Sequence, residues 1–162
     1  MQEREGQAQA EFPSNLDATA DLMAWVEQQR PGGIDEMVWI QAQTALMEGF
    51  TNAVRHAHAL LDPPPLVRVT LALADGRLRL GIRDHGAPFD LEALWQEKAI
   101  EKEEPLGLDG LPLGLDGLPE REAHWGLILL WRLQRDFGWS IRYQPLAEGG
   151  NLLLMEVPVG GS

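Results

Sequence analysis

Val67 to Arg83 reads VRVTLALADGRLRLGIR, and its alternation is that of a β-hairpin. Val67, Val69, Leu71 and Leu73 fall on every second residue, as do Leu78, Leu80 and Ile82. Successive side chains of a strand point to opposite faces, so each run has one face to bury. Asp75-Gly76 between them makes the two-residue turn that joins tightly paired antiparallel strands. The other face carries Arg77, Arg79 and Arg83, which suit solvent.

Upstream of the hairpin the period changes from two to three and four. Asp35 to Leu61 is predicted as one long helix, with Ala42, Leu46, Phe50, Ala53, Ala57 and Leu60 as its apolar stripe. Pro63-Pro64-Pro65 ends it. A shorter helix is expected over Ala18 to Gln29, capped by Asn15 or Asp17, with Leu22, Trp25 and Val26 facing the core. Pro31-Gly32-Gly33 stops it. The first residues, Met1 to Glu11, are polar and read as a frayed, disordered tail ahead of a single domain over residues 12–162.

Downstream, Leu91 to Glu104 reads as a short acidic helix or loop. Leu106 to Pro112 (LGLDGLP) is then duplicated as Leu113 to Pro119, in a composition that favours turns. One duplication is too few for a solenoid, which stacks several units. A third helix is expected over Gly126 to Phe137, buried because Leu127 to Trp131 is apolar nearly all round. Strands over Ser140–Gln144 and Leu152–Val157 flank a Glu148-Gly149-Gly150-Asn151 turn. This order predicts an α/β (α+β) two-layer sandwich: a mixed, mostly antiparallel sheet with about three helices on one face.

The bulk numbers narrow the function. A chain of 162 residues with a 44% hydrophobic share can build one core. No apolar run approaches the length of a membrane span, and no apolar leader opens the chain, so a cytoplasmic protein is expected. Cysteine is absent, which excludes disulfides, thiolate metal sites and thiol nucleophiles. A net charge of −12 argues against direct nucleic-acid binding, which needs clustered Lys and Arg. Ser14, Ser140 and Ser162 lie in no nucleophile elbow, so a serine hydrolase is not supported. Nothing fixes His56, His58, His85 and His124 as a metal set.

Three clusters could carry chemistry. Glu48, Asn52 and His56 recur at four-residue steps and share a helix face, with Arg55 beside them. By pattern alone the plainer reading is a solvated helix face. Asp84-His85-Gly86-Ala87-Pro88-Phe89-Asp90 follows a strand, and is either a plain turn or a carboxylate with a glycine that lets a flat ligand approach. His124-Trp125-Gly126-Leu127 opens a helix after a Gly-rich loop, where an anion could sit or Trp125 could simply pack.

Taken in order on these elements, the clusters resemble the GHKL ATPases of the Bergerat fold. Glu48-Gly-Phe-Thr-Asn-Ala-Val-Arg-His-Ala looks like the N box of the anti-sigma-factor serine/threonine kinases, and Asp84-x-Gly86-x-Pro88-Phe89-Asp90 like their first glycine box. The resemblance spans roughly Phe12 to Pro158. It implies that Asn52 holds the Mg²⁺ bridging the ATP phosphates, flanked by Arg55 and His56, and that Glu48 is the general base. Asp84 would meet the adenine amine, with Gly86 giving the ring room and Phe89 beside it. His124, standing where the family carries a further glycine, would meet the phosphates with Gly126 and Leu127, and a loop over about 98–124 would be the ATP lid. The implied partners are a sigma factor and a STAS-type anti-anti-sigma protein, with a homodimer as the family's frequent state. The alternative is a partner-switching module that keeps the fold and binds nucleotide weakly or not at all.

Overall fold

A computed structural model describes residues 6–88, 91 and 128–159. In chain order these form β1 (Gly6–Phe12), α1 (Thr19–Gln28), α2 (Glu36–Asn52), β2 (Val67–Ala74) and β3 (Arg77–Asp84), with β4 (Ser140–Pro145) and β5 (Asn151–Pro158) closing the chain. Between β3 and β4 residues 128–136 are helical and are called α3. The five strands form one antiparallel sheet in the order β1-β2-β3-β5-β4.

The hairpin forms as its alternation requires. Asp75 and Gly76 both take positive φ, at 55° and 71°, so the turn twists with the strands it joins. Val67, Val69 and Leu71 of β2 are buried, and so are Leu78, Leu80 and Ile82 of β3. On the same face Leu153, Met155 and Val157 come from β5 and Ile141 from β4. Leu22 and Val26 of α1, Trp39, Ala42, Leu46 and Phe50 of α2, and Leu130 and Leu133 of α3 complete one hydrophobic core with them. Burying a side chain of this size contributes about 1.5–3 kcal/mol, so the core is what holds helices to sheet.

α2 lies close to the sheet at Gly49, where an added Cβ would stand 3.0 Å from both Ile82 and Leu153. The Asp35 side chain caps its start, accepting from the Val38 amide at 3.1 Å. Asn15 caps a 3₁₀ turn over Leu16–Ala18 that leads into α1.

Three expectations change. The frayed tail over residues 1–11 is a strand from Gly6 onward, paired in register with β2 from Gly6↔Leu73 to Phe12↔Val67. Its polarity is that of an edge strand, with Ala8, Ala10 and Phe12 inward and Gln7, Gln9 and Glu11 outward. The long helix does not keep its period to Leu61. After Asn52 it widens into a π turn over Ala53–Ala57, closed by the His58 amide donating to Ala53 O at 2.9 Å. The apolar stripe therefore fails beyond that point, and Leu60 is 96% exposed. In α3 only Leu130 and Leu133 are fully buried, because the helix packs by one face. Of the acidic stretch after β3 only Leu91 is described, and it is buried.

No helix among the described residues is long and apolar enough to cross a membrane.

Candidate functional site

The last turns of α2 carry the first half of the site. Glu48 is partly buried, and burial pushes its carboxyl above the ordinary carboxylate range, with the Arg55 charge pulling the other way. One turn on, Asn52 Oδ1 is buried and has no hydrogen-bond partner among the described residues. A buried acceptor left unpaired costs about 1–3 kcal/mol, which marks a place where a ligand would compensate. Thr51 turns its hydroxyl back to Met47 O at 2.8 Å and so does not compete for that place. His56 lies on the π turn and is exposed. Single wide turns of this kind are frequent at functional sites because they re-aim the residues around them.

The second half sits at the end of β3. Strand parity sends Asp84 to the covered face together with Leu78, Leu80 and Ile82, and it is only 1% exposed. A buried carboxylate needs donors, and it has them. Asp84 Oδ1 accepts from the Gly86 amide at 2.9 Å and from Asn151 Nδ2 at 2.9 Å, while Tyr143 donates its hydroxyl proton to Oδ2. Asn151 is Asp84's partner in the β3–β5 ladder, and Tyr143 reaches across from β4. Burial, then the bond to Asp84, pushes the Tyr143 hydroxyl far above its ordinary value, so it stays protonated and keeps donating.

Asn151 Nδ2 also donates to Ala87 O at 3.1 Å and Gly86 O at 3.3 Å, which ties the loop after β3 to β5.

A buried histidine braces the same loop. The His85 amide donates to His58 Nε2 at 2.9 Å, so the His58 proton sits on Nδ1, which donates to Ser14 Oγ at 3.0 Å. Burial pushes the His58 imidazole below its ordinary value, against the pull of the Asp84 charge, and keeps it neutral to accept that amide.

Gly86 joins the two halves. A Cβ there would lie 2.5 Å from Ala57 O and 2.8 Å from Ala57 Cα, on the π turn that follows Asn52. The direction that a side chain would take from Gly86 is filled by the backbone of α2's extension, so the loop after β3 and that extension lie in close contact. Among the sequence-derived candidates, then, Glu48, Asn52 and Arg55 lie on or just beyond α2, and Asp84 and Gly86 are brought against the same helix end. Phe89, His124, Gly126 and Leu127, the 98–124 lid and the duplicated heptad lie outside the described residues.

Tyr143, Asn151 and His58 were not among the candidates. A signal for two of them exists in the parity of the strands. Asn151 is in phase with Leu153, Met155 and Val157, and Tyr143 with Ile141, so their inward positions were legible, although their nearness to Asp84 was not. His58 carried none, because the α-period placed it on a helix that does not continue.

Comparison with known families finds that the model described as Histidine kinase-like ATPase domain matches residues 12–157. A comparison with curated proteins finds no match.

Proposed function

The chain belongs to the histidine kinase-like ATPase family, and from that premise we propose that it is an ATP-binding anti-sigma regulator with serine/threonine kinase activity. The substrate would be a STAS-type anti-anti-sigma protein, and the sequestered target a sigma factor. The observation that carries the nucleotide site is Asn52 Oδ1, a buried amide oxygen without a partner among the described residues, one turn from a carboxylate raised by burial. A neutral oxygen of this kind fits a hard cation such as Mg²⁺, which takes few protein ligands and fills the rest with water and phosphate.

Each residue then has a task. Asn52 would hold the cation, whose charge when bound neutralises the phosphates. Asp84 would accept from the purine's exocyclic amine. Glu48 would take the proton of a serine hydroxyl as that oxygen forms its bond to the γ-phosphorus and the bond to the β-bridging oxygen breaks, leaving ADP and phosphoserine. A carboxyl raised by burial is a better proton acceptor near neutral pH than an exposed one. A protein partner near Glu48 is supported by Met37, Ile40 and Met47, which leave an apolar ridge on α2 exposed by 58%, 47% and 36%. The same ridge would serve a homodimer.

Calorimetric titration with ATP and Mg²⁺ tests this directly. Saturable binding is expected, with Asn52→Ala weakening it by about tenfold or more in Mg²⁺ and by little in EDTA, the scale lost with residues that support a metal. Equal affinity of the variant and the parent in Mg²⁺ would remove Asn52 from the metal site. In a transfer assay on a STAS-type partner, Glu48→Gln should lower turnover by about 10²–10⁴-fold.

The pH dependence has a definite sign. A base must be deprotonated, and the Glu48 carboxyl is raised, so turnover should climb with pH along an acidic limb lying above 4.5. That limb should vanish in Glu48→Gln. If the parent shows no such limb, Glu48 is not the base.

A further inference from the structure

The hydrogen bonds around Asp84 can be counted, and the count constrains the ligand. A carboxylate offers about four acceptor positions. Gly86 N–H and Asn151 Nδ2 fill those on Oδ1, and the Tyr143 hydroxyl takes one on Oδ2. One acceptor position therefore remains, on Oδ2. The donors that surround it are committed: the Gly86 amide and the single Tyr143 proton go to Asp84, the His85 amide to His58, and Asn151 Nδ2 to three oxygens. Asn151 is fully buried, and its Oδ1 has no partner among the described residues. Among the described residues, the cluster thus has acceptors to offer on the Oδ2 side and no uncommitted donor.

We infer that Tyr143 is a specificity residue of this site: by committing its proton to Asp84 Oδ2 it leaves an acceptor-only edge that takes an amino-purine and rejects a 6-oxo-purine. The inference rests on the ATP reading above and goes beyond it, since that reading assigns Tyr143 no part. A water in place of the hydroxyl would not have this effect. Water both donates and accepts and turns to suit its neighbours, so it would satisfy Asp84 and still offer a proton to a ligand carbonyl. A phenol held by burial on β4 cannot turn in that way, because its one proton faces a carboxylate.

The consequence is measurable as a ratio of affinities. ATP and ITP, which differ by amine against carbonyl at position 6, are titrated into the parent protein and Tyr143→Phe. The parent should bind ATP about 10⁴-fold tighter than ITP, the scale on which a site built to accept a hydrogen bond rejects a ligand lacking the donor. In Tyr143→Phe a water can enter where the hydroxyl stood, and the ratio should fall by about tenfold, one hydrogen bond's worth. A loss of general stability would weaken both nucleotides alike and leave the ratio unchanged, so the ratio separates a specificity role from a structural one.

A second measurement needs no variant. A purine triphosphate with hydrogen at position 6 lacks the donor but brings no opposing oxygen, and should bind the parent between ATP and ITP. ATP bound with an unaltered ratio in Tyr143→Phe, or ITP bound by the parent as tightly as ATP, overturns the role of Tyr143 and leaves the ATP site standing. No binding of any of the three to the folded parent overturns the ATP site and this inference with it.

Discussion

Asp84→Ala should abolish nucleotide binding and lower Tm by about 5–15 °C. The two effects have one cause. The carboxylate is the acceptor for the Tyr143 hydroxyl and the Gly86 amide, and removing it leaves both donors unsatisfied at a site that is 1% exposed. Each such group costs about 1–3 kcal/mol. Asn151 suffers less, since Nδ2 keeps Gly86 O and Ala87 O. For a chain of 162 residues each kcal/mol corresponds to about 2–4 °C. Asp84→Asn separates the effects: it keeps the volume and an oxygen acceptor, so most of the stability should return, while an amide nitrogen facing the purine amine cannot replace the carboxylate. Thermal unfolding and ATP titration of both variants decide the matter. An Asp84→Ala protein with the parent's Tm would mean that the network contributes nothing to folding.

Gly86→Ala should be as damaging, for a reason unrelated to ligand. Its Cβ would meet Ala57 O at 2.5 Å, well inside any real carbon–oxygen contact, and Ala57 Cα at 2.8 Å. Both are backbone atoms, which cannot swing aside as a side chain can. Either the loop after β3 lifts, breaking the Gly86 amide's bond to Asp84, or the π turn moves and carries Asn52 with it. Overpacking of this kind costs about 1–3 kcal/mol, or more where backbone must move. We expect Tm to fall by roughly 5–10 °C in the absence of any nucleotide. Adding Ala57→Gly should restore little, because it removes the Cβ and leaves the carbonyl and Cα in place. Unchanged thermal stability, with only ATP affinity lost, would mean that the close approach to Ala57 yields without cost and that Gly86 acts by making room for a ligand ring.

Much of the fold was legible because its signals are local. The β2–β3 hairpin follows from alternation and an Asp75-Gly76 turn. The helical stripe of α2 through Phe50, and the turn before β5, depend equally on residues near one another in the chain. Of the site, Glu48, Asn52 and Asp84 were legible as chemistry-bearing residues in a familiar order, and the structure adds why each is unusual: partial burial for Glu48, an unpaired oxygen for Asn52, full burial among donors for Asp84.

The sequence by itself determined the period of β2 to β5 and of α2 through Phe50, hence which face of those strands turns inward. It could not determine which elements lie side by side. β1 joins the sheet because a distant edge of β2 pairs with it, although its own composition is that of a polar tail. β5, not β4, lies against β3, and that ladder puts Asn151 opposite Asp84 and brings Tyr143 within reach of it from β4. The end of α2 departs from its own period as His58 packs between Ser14 and the loop after β3. Periodicity is decided among neighbours a few residues apart. Pairing between segments 55 to 81 residues apart is decided by competition among the faces and edges of the assembled layers, and there a single buried carboxylate selects which donors surround it.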